Sequence, residues 1–509
     1  MPAKTIMVQG TASDVGKSIV VTALCRMFKR RGLRVAPFKA QNMSNNSYVT
    51  SDGGEIGRAQ AVQAMACGVE PSIYMNPILL KPNTDKTSQV IILGKVFDTV
   101  CAQDYFQKRQ MFMKYVQQAL DKLRQDYDIV VIEGAGSPAE INLKENDIVN
   151  MAIAKMASSP VILVGDIDKG GVFAQIVGTF ELLDDEEKGL VKTFLINKFR
   201  GDKDLFMPGL KWIENKIQRK ALGVLPMIPD LGIEQEDAVV LEKGCGHPER
   251  SEGSDIKILI HIIHLPRISN FTDFDSLSRE QDVTLHFIKK PDRNIIPDLL
   301  IIPGTKSTIG DLDFLKRQGF KQYIQRCLKA GTCVLGICGG YQMLGQYIKD
   351  PYMVESNSKE TEGLKFLPIK TSFSREKITE KVKAVHLESQ LEIEGYEIHM
   401  GRTKHFDGAE PLFKIIEREG ESAEGYDGVV LNQLDKNILG TYIHGLFDQD
   451  KFRRYFINKI CALSGLPEYN SDDKIEQSHR DLAYDRLADE FEKCIDQNVL
   501  NKLLEEQCV

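Results

Sequence analysis

The ten cysteines of the sequence include no pair with the C-x-x-C spacing, and basic residues are not in excess. Without closely spaced cysteines, neither a zinc site nor a thioredoxin-like redox site is expected. A chain of 509 residues can bury a core without disulfides, and reduced thiols are typical of the cytoplasm, where we expect this protein. The net charge of -7 argues against a nucleic-acid partner, which would require a basic face.

Long apolar runs are also missing. No segment reaches the roughly 20 consecutive apolar residues that cross a bilayer, and the start, MPAKTIMVQG, lacks the regions of a signal peptide. We therefore expect no membrane partner. The length predicts two or three domains, and the composition leaves open assembly into a homo-oligomer.

Short β-branched apolar runs alternate with helical stretches along most of the chain, which predicts an α/β fold. We predict a doubly wound parallel sheet of the P-loop type at 1–232, a polar linker at 233–255, a second α/β domain at 256–450 and a helical extension at 451–509. The predicted strands are TIMVQG, RVAPFKA, DIVVIEG, PVILVGD, TFLINK and GVLPMI in the first half, and IKILIHII, VTLHFIK, DLLIIPGT, TCVLGIC and ILGTYIHG in the second.

A glycine-bounded loop, GTASDVGKS, runs from Gly10 to Ser18 between the first predicted strand and a helix. Backbone N–H groups and the helix dipole at such a place form a cradle for phosphate. Lys17 should reach the β- and γ-phosphates of ATP, and Ser18 should ligate Mg²⁺. Five residues rather than the usual four lie between Gly10 and Gly16. A tight turn that merely starts a helix is the alternative. The other predicted ATP-binding residues are Thr11, Asp14, Val15 and Gly16.

Carboxylates follow two further predicted strands. Glu133 ends one of them, and Asp166 and Asp168 follow another. Because ligands bind beyond the carboxyl ends of parallel strands, Glu133 is a candidate Mg²⁺ ligand. Asp52, in the loop TSDGG, is a second candidate. For Asp166 and Asp168, ligand binding and helix capping both remain open.

Two polar loops, at 39–47 and 50–60, are crowded with amides and small residues. Apolar patterning does not explain them as core. They are either ordinary polar loops or a surface that binds a large polar ligand. On the second interpretation the candidate substrate-binding residues are Gln41, Asn42, Asn45, Arg58 and Gln60.

The strand TCVLGI leads into Cys338, two glycines and a helical segment, which is the pattern of a nucleophile elbow. The helix N-terminus favours the thiolate of Cys338, and the N–H groups of Gly339 and Gly304 are the candidate oxyanion-hole donors. A buried structural cysteine is the alternative. His444, at the end of another predicted strand, is the candidate base, and His399 also lies at a strand end.

Segments 298–345 and 438–447 resemble class I glutamine amidotransferase domains. The N-terminal half resembles the dethiobiotin synthetase-like ATPases, which share the longer phosphate loop. Both halves in this order resemble the amidotransferases of cobalamin synthesis over nearly the whole chain. The strings that carry this last resemblance are PFKAQNMSNNS, EIGRAQ, IEGAGSPAEINL, GDIDKGGVFA, INKFRGD, GYEIHMG and YIHGLFD.

The resemblance implies that Cys338 forms a glutamyl thioester and that His444 serves as base and acid. Most class I members carry Glu two residues after the histidine, whereas this chain has Leu446. The cobalamin subgroup shares that pattern, which implies a Cys–His dyad.

The resemblance also implies the reaction: amidation of the b, d, e and g carboxylates of adenosylcobyrinic acid a,c-diamide, with L-glutamine, a corrinoid substrate, ATP and Mg²⁺. Amidation of other corrin carboxylates is the nearest alternative. A partition-type ATPase switch and an inactive amidotransferase-like binding module are the alternatives from other classes.

Overall fold

The computed structural model describes residues 2–83, 87–229, 231–234, 236, 258–355, 358–433, 436–468 and 476–505. Apart from positions 233, 234 and 236, the predicted linker at 233–255 lies outside the described residues. No helix in the described ranges is long and apolar enough to span a bilayer.

The N-terminal half is built on a six-stranded sheet in the order β12-β11-β10-β1-β9-β2, in which all neighbours are parallel. This confirms the predicted parallel sheet. The buried apolar runs of its strands form the two cores on its faces. The strands are β1 (Lys4–Gly10), β2 (Val35–Phe38), β9 (Ile129–Glu133), β10 (Val161–Asp166), β11 (Val191–Phe199) and β12 (Ala221–Pro226).

Helices cover both faces of this sheet. The helix Lys17–Arg30 follows β1 and buries Val20, Leu24 and Phe28 at intervals of one turn. The phosphate loop is thereby held between a central strand and a buried helix. The remaining helices of this half are Arg58–Cys67, Ala102–Gln107, Arg109–Asp126, Met151–Ala157, Val172–Leu182, Asp185–Leu190 and Lys203–Ile217.

The segment between β2 and β9 adds two small sheets that were not predicted. One has the order β3-β6-β7-β8 and the other is the hairpin β4-β5. Their strands are short or partly exposed, so they lack the continuous apolar runs of the main sheet. They are β3 (Gln41–Met43), β4 (Ser47–Val49), β5 (Glu55–Gly57), β6 (Ile78–Pro82), β7 (Thr87–Ile92) and β8 (Lys95–Cys101).

The C-terminal half has a second six-stranded sheet in the order β14-β13-β15-β16-β24-β23. Only the edge strand β23 runs antiparallel to its neighbour, and the five predicted strands are all present. They are β13 (Ile258–Ile263), β14 (Val283–Ile288), β15 (Leu299–Ile302), β16 (Cys333–Ile337) and β24 (Lys436–Thr441), with β23 at Val429–Gln433. Its helices include Asp275–Ser278, Thr308–Gln318, Phe320–Lys329 and Gly339–Leu344.

A mostly antiparallel sheet between β16 and β23 was not predicted, and its one parallel pair in the described ranges is β17 with β19. Its centre is the long pair β19 (Ile369–His386) and β20 (Glu392–His405). Charged and partly exposed positions interrupt the apolar alternation of both strands, so the period-2 signal is weak. The other strands are β17 (Tyr347–Lys349), β18 (Glu360–Glu362), β21 (Phe413–Arg418) and β22 (Glu421–Asp427).

The C-terminal helices pack against two different cores. The helix Asp450–Ser464 buries Phe452 and Phe456 in the core of the C-terminal half. The helices Glu476–Cys494 and Gln497–Glu505 instead pack against the N-terminal sheet. The end of the chain therefore returns to the helix of the phosphate loop.

Candidate active sites

Cys338 lies in a sharp turn between β16 and the helix Gly339–Leu344. Its φ of 51° and ψ of -106° are rarely adopted by a residue with a side chain, which indicates backbone strain. A Cβ atom on Gly340 would collide with the carbonyl oxygen of Ile302. The glycine is therefore required for the close approach of the helix to β15. The structure thus brings Cys338 to the N-terminus of a helix, as an elbow requires.

The two predicted oxyanion-hole residues flank this turn. Gly339 packs against Thr305, and a Cβ atom on Gly304 would lie 3.0 Å from Cε1 of His444. The loop after β15 therefore lies against both the elbow and the imidazole. The oxyanion roles of Gly304 and Gly339 remain predictions.

His444 is buried, with 1% of its surface exposed, and interacts with the thiol of Cys338. Burial lowers the pKa of His444, but the carboxylate of Asp273 and the interaction with the Cys338 side chain together outweigh burial and raise it to about 10. The imidazole also stacks on Tyr396, with ring centroids 5.3 Å apart. His399 instead stacks on Tyr442.

Asp273 is the residue of this site that sequence reasoning missed. Its Oδ2 is 2.7 Å from Nδ1 of His444, and its Oδ1 accepts the N–H of Gly445 at 3.1 Å. Leu446 is buried in the apolar core. A carboxylate therefore contacts the imidazole in addition to the two residues of the dyad that the resemblance implies. The available signal was an acidic side chain shortly after β13, but 171 residues separate Asp273 from His444.

The phosphate loop has the geometry expected of an anion cradle. Gly16 has a φ of 96°, and a Cβ atom there would collide with Asn197. Nζ of Lys17 donates to the carbonyl oxygens of Ala12 at 3.0 Å and Gly136 at 3.1 Å. These bonds hold the ammonium across the loop, where phosphate oxygens would bind. Asp14 and Val15 lie in the same turn, and Thr11 contacts Gln175.

Glu133 connects this loop to the polar segment after β2. Its buried carboxylate accepts bonds from Ser18 at 2.9 Å, Lys39 at 2.8 Å and Gln63 at 2.5 Å. Burial raises the pKa of Glu133, but the charge of Lys39 and the hydrogen bonds from Lys39, Gln63 and Ser18 together outweigh burial and lower it. The carboxylate is therefore ionised beside the predicted magnesium ligand Ser18.

The residues around Ser18 fit a nucleotide-bound Mg²⁺ ion. No group of three His, Cys, Asp or Glu residues in the described ranges could hold a metal. Magnesium bound to a nucleotide needs few protein ligands, because phosphate and water oxygens fill the remaining positions. The hydroxyl of Ser18 and the carboxylate of Glu133 provide the oxygen donors it prefers.

Asp52 does not lie at this site. It is in the turn between β4 and β5, where it accepts a bond from Thr50, and Gly53 of the same turn faces Glu419 of the C-terminal half. The predicted role of Asp52 as a magnesium ligand gains no support from this position and remains a prediction. Asp166 and Asp168 are paired with Lys198 at 2.9 Å and Arg200 at 3.0 Å.

A cavity of about 1510 Å³ opens at the phosphate loop. It is larger than most single-ligand pockets, and Lys17, Ser18 and Glu133 line it together with Gln41 and Asn42. A nucleotide and a large second substrate could share this space. Two of the five candidate substrate residues, Gln41 and Asn42, thus lie in its wall.

The other three candidates do not line the cavity. Gln60 accepts a bond from Asn42 at 3.0 Å. Arg58 is buried, pairs with Glu234 at 2.5 Å and lies over the ring of Tyr48. Asn45 does not line the cavity either. Substrate contact by Asn45, Arg58 and Gln60 remains a prediction without a geometric basis in this conformation.

The two halves meet through a buried ion cluster near Cys338. The carboxylate of Glu55, on β5, pairs with Lys81 at 2.6 Å and with Lys377 of β19. Burial lowers the pKa of Lys377 to about 8, while the charges of Glu55 and Cys338 oppose that change. One carboxylate of the N-terminal half therefore neutralises two buried ammonium groups beside the elbow.

Replacing Glu55 with glutamine should lower the free energy of unfolding by about 3–5 kcal/mol, because two buried cations lose their counter-ion. The shift of the urea midpoint measures this loss. Glu362→Gln is the matched control, since it breaks an exposed pair with Lys365 and should leave the midpoint unchanged. Equal midpoints for Glu55→Gln and the parent chain would contradict the assigned role of the cluster.

The fold and the two sites define a two-domain amidotransferase, with a nucleotide-binding domain joined to a glutamine amidotransferase domain. Residues 6–238 match the model of the CobQ/CobB/MinD/ParA nucleotide binding domain, and residues 259–452 match the CobB/CobQ-like glutamine amidotransferase domain. These two domain types agree with the phosphate loop and the elbow described above.

Curated relatives match along almost the entire chain. Cobyric acid synthase of Dehalococcoides mccartyi strain 195 is 48% identical over 99% of both chains. The cobyric acid synthases of Clostridium kluyveri and Clostridium botulinum strain 657 are 48% and 47% identical, over 98% of this chain and 98% and 99% of theirs. The chain belongs to the cobyric acid synthase family.

Proposed function

We propose that this protein uses ATP and glutamine to amidate the b, d, e and g carboxylates of adenosylcobyrinic acid a,c-diamide, giving adenosylcobyric acid in cobalamin biosynthesis. Family membership over the whole chain supports the substrate class. The observation that carries the proposal is the pairing, in one chain, of the strained Cys338 elbow with the Lys17 phosphate loop. Amidation of other corrin carboxylates has no comparable support.

In the C-terminal domain, the thiolate of Cys338 attacks the side-chain amide carbon of glutamine. His444, as imidazolium, donates a proton to the departing nitrogen, and ammonia leaves a glutamyl thioester behind. Neutral His444 then takes a proton from water, which attacks the thioester. Glutamate is released, and the thiolate–imidazolium pair is restored.

In the N-terminal domain, a carboxylate oxygen of the corrinoid attacks the γ-phosphorus of ATP, and ADP leaves. The product is an acyl phosphate, which is a far better electrophile than a carboxylate. Lys17 stabilises the charge that develops on the phosphate oxygens. Mg²⁺, held by Ser18 and Glu133, would supply further charge neutralisation. Ammonia then displaces phosphate and leaves the amide.

The test is a count of nitrogen atoms. Purified protein is incubated with ATP, Mg²⁺, the corrinoid a,c-diamide and glutamine labelled with ¹⁵N in its side-chain amide. Mass spectrometry should find four labelled amides in the final product, with phosphate and glutamate each released in step with them. Incorporation of no label would overturn the proposal, and labelling only of a corrinoid whose a and c carboxylates are free would favour the alternative acceptor.

A further inference from the structure

The turn that carries Asp273 is held in place by contacts from both domains. Phe271 and Phe274 are buried in the core of the C-terminal domain. From the N-terminal domain, Oδ1 of Asn46 accepts the N–H of Phe271 at 3.1 Å, and the N–H of Ser47 donates to Asn270 at the same distance. The position of the Asp273 carboxylate is therefore set by packing within one domain and by hydrogen bonds from the other.

We infer that Asp273 is a positioning residue for glutamine hydrolysis, which orients the ring of His444 toward Cys338 and stabilises its imidazolium form. This inference rests on the proposed function. An ionised carboxylate only accepts hydrogen bonds, so Nδ1 of His444 must carry the proton at 2.7 Å. Nε2 is then the nitrogen left for the thiol and for the departing ammonia. The second bond, from Gly445, fixes the carboxylate itself.

Among the groups around the imidazole, Asp273 favours its positive charge most, and Cys338 contributes less. Cys338 contacts the ring as the nucleophile, and Tyr396 stacks on it. Burial raises the pKa of the Tyr396 hydroxyl, so the phenol is neutral at physiological pH. Glu234, Asp448 and Arg58 interact electrostatically with Tyr396. Asp273 is thus the carboxylate in direct contact with His444 within the described ranges.

The sign of the pH effect follows from this geometry. Removing the negative charge of Asp273 lowers the pKa of His444, because the imidazolium loses its counter-ion while burial still opposes its charge. The proton that ammonia release requires is then lost at lower pH. The alkaline limb of glutamine hydrolysis should therefore move toward neutrality.

The experiment measures glutamate release by the full chain as a function of pH. Asp273→Asn should lower kcat on the order of 100-fold, leave KM for glutamine unchanged and shift the alkaline limb downward. Asp273→Glu, which keeps the negative charge, should return the alkaline limb of the pH profile to its position in the parent protein and recover part of kcat. Asp275→Asn is the matched control from the same turn, since burial raises the pKa of Asp275 to about 7 and the amide resembles its protonated form.

Ammonia-driven amidation reports on folding, because it bypasses His444. If Asp273→Asn loses that activity too, Asp273→Ser takes its place under the same criteria. The role of Asp273 would be overturned if Asp273→Asn kept the parent kcat and an unmoved alkaline limb. It would also be overturned if Asp273→Glu shifted the alkaline limb as far as Asp273→Asn does. Failure of the parent protein to release glutamate would instead refute the proposed function.

Discussion

Replacing Cys338 with alanine should lower glutamine-driven amidation by at least about 10⁴-fold and leave ammonia-driven amidation intact. In the proposed mechanism the thiolate of Cys338 forms the thioester, and Cys338 is the residue at the elbow. The N-terminal domain needs only free ammonia, so added ammonium salt at alkaline pH should restore synthesis. Both rates are measured as amide formed per enzyme, with glutamate release followed in parallel.

Cys333→Ala is the matched control for this result. Cys333 lies five residues earlier, within β16, and burial raises the pKa of its thiol to about 12. It is therefore neutral and cannot act as a nucleophile, so its loss should change neither rate substantially. If Cys338→Ala also abolished the ammonia-driven reaction, the two half-reactions would not be divided between the domains as proposed.

Replacing Lys17 with alanine should abolish the activities that Cys338→Ala keeps and keep the glutamine hydrolysis that Cys338→Ala loses. Amidation should fall on the order of 10³-fold with either nitrogen source, because the charge on the transferring phosphoryl group loses its preorganised cation. Glutamine hydrolysis should persist, since the ammonium of Lys17 is held at the phosphate loop by Ala12 and Gly136 and is not part of the Cys338–His444 site. The measurements are ADP release, amide formation and glutamate release on the same preparation.

Lys29→Ala provides the comparison, because Lys29 is in the last turn of the same helix and away from the loop. It should retain all three activities. A Lys17→Ala protein that still made amides from ammonia at the parent rate would exclude the phosphate loop from activation of the carboxylate. Loss of glutamate release alone would place Lys17 in glutamine hydrolysis and not in activation of the carboxylate.

Local sequence was sufficient to predict an element or a site wherever a single segment contains both the secondary-structure pattern and the reactive or binding residues. The parallel strands were found because their buried runs are continuously apolar. The elbow at Cys338 and the loop ending at Lys17 and Ser18 were found because a strand, small residues and a helix N-terminus follow one another directly. The sheet built on β19 and β20 was missed because its strands are half-exposed and rich in charge.

The amino-acid sequence by itself determined the two-domain α/β class, and it predicted the elbow cysteine, its histidine partner and the phosphate loop. The tertiary structure decided which distant polar groups meet. It paired Asp273 with His444, placed Glu55 between two lysines at the domain interface, and put Asp52 in the turn between β4 and β5. The physical reason is that hydrogen bonds and ion pairs act over a few ångströms of space, and long-range folding sets those distances, whereas spacing along the chain does not.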